Sequence, residues 1–422
     1  MRSQLSGWLL ALMGATGCAS RSSMPVVPAV SSAAHTLAPR VAAALAEADS
    51  LITAAVGTLT PGAVLAVSQD GTLLHERAFG FAQLTDAGPA GARRMSNPPA
   101  MTPATLFDLA SVTKVMATTL AVMRLVDDGR LDVDAPVSRY LPDFTGVHRD
   151  SITIRHLLSH SAGLVQWQPL YYHASTSAQT YATIRDMPLQ WGVGEGRHYS
   201  DLGFMLLGDI VERVSGVPLD VFMEREFYGP MGLRHTAFNP RVRGFTFFAA
   251  TEHGNAYEHH MVFDSTFGYR YRGDPAAWNG WRHYVLDGEV NDGNAYHANG
   301  GVAGHAGLFS TARDVSTLMD LLVEGGMHDG RRYLSQHVIQ RFFTLDQYGN
   351  YLGWMRPAET PAGSFSHTGF TGTYVLGVPA LRLSVVLLTN RQNMGTDARG
   401  YFPNLATLQS AVTKVLMRGM LP

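Results

Sequence analysis

Short apolar runs of strand length stand at both ends of the sequence, and this arrangement restricts the fold more than any other feature. Near the start, residues 62–83 alternate between apolar and polar positions around an Asp70-Gly71 pair, which is typical of a hairpin. Three further runs of strand length lie near the end, at residues 364–367, 372–378 and 383–390. The pattern predicts one antiparallel sheet that is assembled from the two ends of the chain.

The middle of the chain favours helices instead. Apolar residues at helical spacing predict helices over residues 37–56, 106–142, 154–158, 202–214 and 405–417. In the second of these, Asp108 or Ser111 can cap the start and Gly129 ends the apolar face. Residues 85–103 are predicted to form a polar loop. Residues 239–299 show no clean period, and an irregular stretch of that length is usually functional.

The bulk properties exclude several classes of protein. A chain of 422 residues exceeds one compact core, so we expect two packed subdomains or one large domain with an insertion. Lys and Arg number 32 against 34 Asp and Glu, so no basic surface is available for nucleic acid. No uninterrupted apolar run reaches the roughly 18 residues of a membrane-spanning helix.

The first residues are typical of an exported protein. Met1-Arg2 gives a positive start, residues 5–15 are apolar, and small residues lead up to Cys18. Small residues that end directly on a cysteine resemble the bacterial lipoprotein signal, in which the thiol carries a lipid and becomes the new N-terminus. The alternative is an ordinary secretory peptide with an incidental cysteine, although Cys18 is the single cysteine of the chain.

The lipoprotein interpretation divides the chain into three parts. Residues 1–17 are the signal peptide, residues 18–35 are a flexible tether rich in Ser, Pro and Ala, and residues 36–422 are the functional domain. A lipid on Cys18 would anchor the domain to a membrane. Ala19 and Ser20 carry no acidic inner-membrane retention signal, so we expect the outer membrane, with the domain facing the periplasm.

Three short motifs contain candidate catalytic residues. In Ser111-Val112-Thr113-Lys114, residues three apart share one helix face, so the lysine reaches the serine hydroxyl. A desolvated lysine with a lowered pKa could take the serine proton, and the helix start offers N–H groups to an oxyanion. The motif by itself also fits a capped helix with a surface lysine.

The other two motifs lie far along the chain. Tyr199-Ser200-Asp201 lies between a loop and a helix. A tyrosinate next to Lys114 could act as a general base. Alternatively, the tyrosine is a packed surface residue and Asp201 caps the helix. In His367-Thr368-Gly369, the strand could offer the N–H of Phe370 as a second oxyanion donor, or the motif is simply a strand followed by a glycine turn.

Together and in this order, the motifs resemble those of the serine β-lactamase and penicillin-binding-protein family. The segments at residues 106–114, 131–137, 155–164 and 300–310 are similar to other signature stretches of that family. Because its second motif begins with tyrosine, the sequence resembles the branch that contains class C β-lactamases, D-aminopeptidases and esterases. Within that branch it resembles D-alanyl-D-alanine carboxypeptidases most.

The resemblance implies an α+β fold, with a central antiparallel sheet flanked by helices and a mainly helical inserted subdomain. It implies Ser111 as nucleophile, Lys114 and Tyr199 as its catalytic partners, and the N–H groups of Ser111 and Phe370 as the oxyanion hole. Substrate contacts would come from Asp201, His367, Thr368 and Gly369. The family mechanism needs no cofactor and no metal.

Two residues depart from the family pattern. Asp201 replaces the usual asparagine, which places donation to a substrate amide in question, although the carboxylate could pair with Lys114. His367 replaces lysine, so binding of a substrate carboxylate should weaken or depend on pH between about 6 and 8. Neutral substrates should then compete well, and β-lactam hydrolysis should be poor.

The histidines give little support to a metal site. Six of the 17 lie between His253 and His305, but a site needs a spaced pair with a carboxylate. His259 and His260 are adjacent and would point apart on a strand. The leading function is therefore acyl transfer from an amide or ester of a small or peptidoglycan-derived substrate to Ser111, then to water. The alternative is a lipid-anchored module of the same fold that binds cell-wall peptides without catalysis.

Overall fold

A computed structural model describes residues 37–88, 91–267 and 271–421. Cys18, the signal peptide at residues 1–17 and the tether at residues 18–35 lie outside the described residues. From Pro39 onward the chain forms one compact unit, in which the middle of the sequence is inserted between the strands of the two ends.

The strands of the described residues are β1 (Gly62–Gln69), β2 (Thr72–Gly80), β3 (Thr85–Gly88), β4 (Gly91–Arg94), β5 (Phe107–Asp108), β6 (Ala237–Phe238), β7 (Leu308–Ser310), β8 (Met327–His328), β9 (Arg331–Arg332), β10 (Phe365–Thr368), β11 (Tyr374–Val378) and β12 (Leu383–Thr389). The α-helices are α1 (Pro39–Ala55), α2 (Leu120–Asp127), α3 (Ile154–Leu158), α4 (Ser177–Asp186), α5 (Asp201–Ser215), α6 (Leu219–Met223), α7 (Ala256–Phe263), α8 (Ala312–Val323), α9 (Gln336–Phe342) and α10 (Ala406–Met420). Single π-helical turns cover Lys114–Thr119, Glu224–Tyr228 and Asn294–Ala298.

The described residues form a central sheet of five antiparallel strands in the order β10-β11-β12-β1-β2. The pairing of β1 with β12 joins the two ends of the chain, for example Val64 opposite Leu388. The predicted sheet, the hairpin at Asp70-Gly71 and the three C-terminal strands are therefore confirmed.

Helices cover both faces of this sheet. On β2, Glu76 pairs with Arg313 of α8, whereas its neighbours His75 and Arg77 pair with Asp49 of α1 at 2.8 and 2.7 Å. Successive strand residues point to opposite faces, so α8 and α1 lie on opposite sides. β1 is consequently buried along almost its whole length, with no polar face.

Three local expectations were wrong in detail. The predicted loop at residues 85–103 contains the short strands β3 and β4, and the irregular stretch after residue 239 contains α7. The helix expected over residues 106–142 begins as strand β5 and ends with α2, where Gly129 takes a φ of 68°. The residues before Ser111 form a strand because they pair with β7, and no local sequence pattern predicts this partner.

Within the described ranges, none of the helices combines the length and the apolar character that crossing a membrane would require.

Candidate active site

The segment that carries Ser111 is fixed by a distant part of the chain. After β5, the Leu109 N–H donates to the carbonyl of Leu308 at 2.9 Å. In return, the Leu308 N–H donates to Thr113 Oγ1 at 3.1 Å, across 195 residues of sequence. Hydrogen bonds to Leu308 on both sides of Ser111 therefore determine where its hydroxyl lies.

The backbone turns sharply at Ala110, the residue before Ser111. Ala110 has a φ of 46°, a left-handed conformation that costs an alanine about 1–3 kcal/mol. Asp108 stabilises the turn, because its Oδ1 accepts the Ala110 N–H at 2.8 Å and its Oδ2 accepts the Asn291 N–H at 2.7 Å. Burial raises the Asp108 pKa to about 6.

The expected helix cap at Asp108 or Ser111 was wrong. No side chain caps the short 3₁₀ turn at Ala110–Val112 or the π-helical turn that follows it. Because Asp108 belongs to a strand, its carboxylate turns back to Ala110 instead of capping a helix start.

Lys114 reaches Ser111 as the spacing predicts. Its Nζ donates to Ser111 Oγ at 2.9 Å and to the carbonyl oxygen of His305 at 3.1 Å. It also forms an ion pair with Asp201 Oδ1 at 2.6 Å, although its side chain is fully buried. The ammonium is thus held at one position by three oxygens.

The predicted pKa of Lys114 was wrong in direction. Burial lowers it, but the Asp201 carboxylate and Tyr199 outweigh burial and raise the Lys114 pKa to about 12. Lys114 is therefore a permanent cation near neutral pH and donates a hydrogen bond to Ser111 instead of accepting its proton.

Tyr199 and Asp201 approach Lys114 from the start of α5. A hydrogen bond joins the side chains of Lys114 and Tyr199, and Nζ lies 5.0 Å from the centre of the tyrosine ring. Ser200, and not Asp201, caps α5 by accepting the Gly203 N–H at 3.3 Å. Asp201 is consequently free to pair with Lys114, as expected from its carboxylate.

His160, which sequence reasoning missed, packs its ring against the ring of Tyr199. The two ring centres lie 4.4 Å apart, and His160 Nδ1 accepts the Ser200 N–H at 3.0 Å. His160 is itself in the left-handed region, with a φ of 58°. Burial, and then the nearby cations Arg197 and Lys114, hold the His160 pKa well below its usual range, so the ring stays neutral. Its place in the signature stretch at residues 155–164 was the available signal.

The turn after β10 packs directly on the Ser111 segment. Thr371 Oγ1 donates to the carbonyl of Asp108 at 2.8 Å, and Thr373 Oγ1 donates to that of Leu109 at 2.9 Å. A Cβ atom on Gly369 would lie 2.5 Å from the Leu109 carbonyl oxygen and 2.0 Å from Thr373 Oγ1. Glycine is therefore required where the two segments meet.

Two backbone N–H groups are left free where they meet. Among the described residues, the N–H groups of Ser111 and Phe370 donate to no protein acceptor. The guanidinium of Arg391 fixes Phe370 by donating to its carbonyl oxygen at 3.0 and 2.8 Å. Free, pre-oriented N–H groups next to a nucleophile can stabilise the negative oxygen of a tetrahedral intermediate.

His367 does not have the properties expected of a pH-dependent carboxylate receptor. Its side chain is buried, and its Nδ1 donates to the carbonyl of Thr368 at 2.9 Å. Burial, and then the Lys114 charge, lower the His367 pKa to about 3. The expected charge change between about pH 6 and 8 was therefore wrong, because burial, and then the neighbouring Lys114 cation, disfavour a protonated ring. Thr368 is exposed instead, and with Gly369 it lines a groove of about 430 Å³ beside Ser111.

A second hollow, here called the Ser111 cavity, opens on the other side of the nucleophile. Its volume is about 380 Å³, and its wall combines catalytic, aromatic and acidic residues. The main lining residues are Ser111, Trp167, Tyr199, Asp201, Glu252, Tyr257, Glu258, Asn291, Asp292, His305 and Phe370. Five of these lie between Glu252 and Asp292, so the long irregular stretch at residues 239–299 supplies much of the cavity wall.

The described residues contain no group of three His, Cys, Asp or Glu side chains placed to hold a metal ion. His259 and His260 lie on α7 and not on a strand, where they stack on Phe263 and Phe267 at 4.2 and 3.8 Å between ring centres. These two histidines therefore pack against aromatic rings.

Comparisons with known proteins show which family the chain belongs to. A family model described as "Beta-lactamase" matches residues 48–408. The chain is 34% identical over 377 residues to "N-acetylmuramyl-L-alanine amidase" of Bacillus subtilis, covering 83% of this chain and 81% of that protein. It is 32% identical over 378 residues to "Putative D-alanyl-D-alanine carboxypeptidase" of Escherichia coli K12, covering 82% of each.

A solved structure supports the fold. The octameric penicillin-binding protein homologue from Pyrococcus abyssi superposes with a TM-score of 0.62 at 20% identity, covering 88% of this chain and 77% of that chain.

Proposed function

Since the chain belongs to the beta-lactamase family and is a serine hydrolase, we propose that it cleaves an amide or ester through an acyl-enzyme on Ser111. The observation that carries the proposal is the 2.9 Å hydrogen bond from Lys114 Nζ to Ser111 Oγ at the edge of a cavity. A bare serine hydroxyl is a poor nucleophile, and this environment activates it.

Each residue of the site has its own role in the proposed reaction. Tyr199 acts as a phenolate beside the Lys114 cation: Ser111 Oγ attacks the substrate carbonyl while the phenolate oxygen takes its proton. The fixed charge of Lys114 stabilises the negative charge on these oxygens, and the N–H groups of Ser111 and Phe370 receive the oxyanion. Tyr199 then protonates the leaving group. A water molecule next attacks the acyl carbon while Tyr199 takes its proton, and Tyr199 returns that proton to Ser111 Oγ as the acyl group is released.

The names of the relatives and the neutral state of His367 support one substrate class. Both named relatives cleave, by their names, a bond that involves alanine, so we expect an alanine-containing peptidoglycan fragment, with D-amino-acid amides and short esters as the alternatives. With His367 neutral, the third motif supplies no cation for a substrate carboxylate, and β-lactams should be hydrolysed poorly.

A covalent probe and a substrate panel test the proposal. Fluorescent penicillin or a fluorophosphonate should label the intact protein at Ser111, as located by peptide mass spectrometry. Initial rates on D-Ala-D-Ala peptides, muramyl-L-alanine, D-alaninamide, acetate esters and a cephalosporin would rank the substrates. A folded protein that neither labels nor turns over any of them would instead be the non-catalytic binding module.

Replacing Tyr199 by phenylalanine should lower kcat by about 10²–10⁴-fold, the usual contribution of a general acid–base group. Only one oxygen is lost, and the stacking on His160 is retained, so the melting temperature should stay near that of the parent. Tyr140→Phe, which removes a hydroxyl outside the Ser111 cavity, is the matched control. Equal activity of the Tyr199→Phe variant and the parent would show that a group other than Tyr199 transfers the proton.

We also propose that the mature protein is exported and lipid-anchored through Cys18, facing the periplasm from the outer membrane. The support is the pattern of the first 18 residues alone. Cys18→Ser should move the protein from the membrane pellet to the soluble fraction while its specific activity stays unchanged. Mass spectrometry of the mature N-terminus is the direct check, and an unmodified terminus away from residue 18 would contradict the anchor.

A further inference from the structure

A third hollow, here called the outer hollow, lies beside the groove and the Ser111 cavity. Its volume is about 800 Å³, compared with about 430 and 380 Å³ for the other two. Most of its wall comes from residues 391–404, which join β12 to α10, and Thr58, Tyr257 and Phe370 complete it. Pockets of about 300–1,000 Å³ typically bury a ligand of drug size, so the outer hollow can hold a bulky group of the substrate.

Phe370 connects the outer hollow to the nucleophile. It lines the outer hollow, the groove and the Ser111 cavity alike. Arg391 and Asn404 line both the outer hollow and the groove, and Tyr257 lines both the outer hollow and the Ser111 cavity. A substrate whose carbonyl carbon reaches Ser111 Oγ can therefore extend past Phe370 into the outer hollow.

Phe370 presents an aromatic surface whose position is fixed. Its side chain is 39% exposed, although its ring packs edge-on against those of Tyr257 and Phe402, at 4.9 and 5.8 Å between ring centres. Two nitrogens of the Arg391 guanidinium hold the carbonyl oxygen of Phe370, and the third donates to the Pro403 carbonyl at 2.9 Å. One guanidinium thus joins the wall of the outer hollow to the residue that supplies the second oxyanion donor.

A second exposed ring in the wall lies among polar groups. Tyr401 is 46% exposed, and Asp397, Arg399 and Asn404 near it in the sequence are exposed as well. Asp397 fixes the turn that precedes Tyr401, because its Oδ1 accepts the N–H groups of Arg399 and Tyr401, both at 2.9 Å. The wall therefore combines two aromatic surfaces with hydrogen-bonding groups on a preformed turn.

From this arrangement we infer that the outer hollow is a carbohydrate subsite, which binds a sugar ring that the substrate carries. The inference rests on the proposed function. A sugar ring has C–H groups on its faces, which pack on aromatic rings, and hydroxyl groups around its edge, which pair with carboxylate, amide and guanidinium groups. An aliphatic chain would match Phe370 and Tyr401 but would leave the polar groups of the turn unused.

Two matched substrate pairs test the inference on the intact protein. N-acetylmuramyl-L-alanine is compared with (R)-2-methoxypropanoyl-L-alanine, which keeps the ether and the amide but lacks the sugar. An N-acetylmuramyl pentapeptide that ends in D-Ala-D-Ala is compared with the N-acetylated pentapeptide. In at least one pair, kcat/KM should favour the form with the sugar by about tenfold or more, the scale of one or two hydrogen bonds.

Tyr401→Ala removes one aromatic surface of the outer hollow, so it should reduce that preference by about 3- to 10-fold, the scale of one aromatic contact. Tyr284→Ala is the matched control, because Tyr284 is also 46% exposed but lines none of the three hollows. The control should leave the preference unchanged.

The possible results are distinguishable. Equal kcat/KM for both members of both pairs would overturn the carbohydrate subsite and leave the proposed function standing, whether or not the Tyr401→Ala variant folds. A sugar preference that is undiminished in the folded Tyr401→Ala variant would contradict binding of the sugar in the outer hollow.

A pair of esters tests for an aliphatic occupant. If the intact protein shows no sugar preference but favours p-nitrophenyl octanoate over the acetate, and Tyr401→Ala removes this preference, the outer hollow binds an aliphatic chain and the carbohydrate subsite is wrong. Absence of any cleavage or labelling at Ser111 would instead overturn the proposed function itself.

Discussion

Replacing Ser111 by alanine should reduce turnover by about 10⁴- to 10⁶-fold and abolish covalent labelling, while the protein stays folded. Removal of a serine nucleophile has effects of this size, because the residual rate comes only from binding and the oxyanion donors. The segment is held through Leu109, Thr113 and the turn at Thr371, and none of these contacts uses the Ser111 side chain. Loss of one hydroxyl should therefore change the free energy of unfolding by less than about 1 kcal/mol.

The measurement is the initial rate on the best substrate of the panel, together with intact-protein mass after incubation with the probe. Ser366→Ala is a suitable control, since it removes a buried serine hydroxyl from β10 without touching the cavity. Labelling that persists in the Ser111→Ala variant would place the nucleophile elsewhere.

Replacing Lys114 by methionine should lower kcat/KM by at least about 10²-fold and also destabilise the fold. The fully buried ammonium is removed while Asp201, 18% exposed, keeps its charge. Breaking a buried pair in this way costs up to about 3–5 kcal/mol, and less here because water still reaches Asp201. The measurements are steady-state kinetics and denaturant unfolding.

The double variant Lys114→Met/Asp201→Asn separates the two effects. With both charges removed, most of the lost stability should return, because no unpaired carboxylate remains. Activity should stay low, because no cation faces Ser111 and Tyr199. If the double variant regains activity with its stability, Lys114 serves the fold and not the chemistry.

The ion pair with Asp201 also determines how the contribution of Lys114 to stability depends on pH. The Lys114 pKa is raised from 10.5 to about 12, so its contribution to stability is fully present below about pH 10.5. That contribution is lost as pH rises through about 12. Ionisation of Lys114 therefore produces no change in rate near neutral pH, and any such change must come from another group.

Local patterns were sufficient for the parts of the fold whose contacts are close in sequence. The Asp70-Gly71 turn and the helix break at Gly129 depend on backbone conformations that few residues adopt. The Ser111–Lys114 contact depends only on residues three apart. Each could be predicted because the partners are fixed by a short stretch of chain.

Local patterns failed where burial or a distant strand decided the outcome. β5 forms because β7 pairs with it, although its own sequence leads into a helix. Helix α7 was missed because its apolar residues follow no clear helical period, and rings from other segments cover it instead.

For the candidate site, the sequence by itself determined which groups are available: a serine, a lysine and a tyrosine in a known order, and a glycine turn that follows β10. Only the tertiary structure decided their charge states and the shape of the cavity. Asp201 lies 87 residues from Lys114, and His367 lies a further 166 residues on, yet the three share one buried site. Whether a buried lysine is charged or a buried histidine neutral depends on which ions the fold places beside it, and on how much water it excludes.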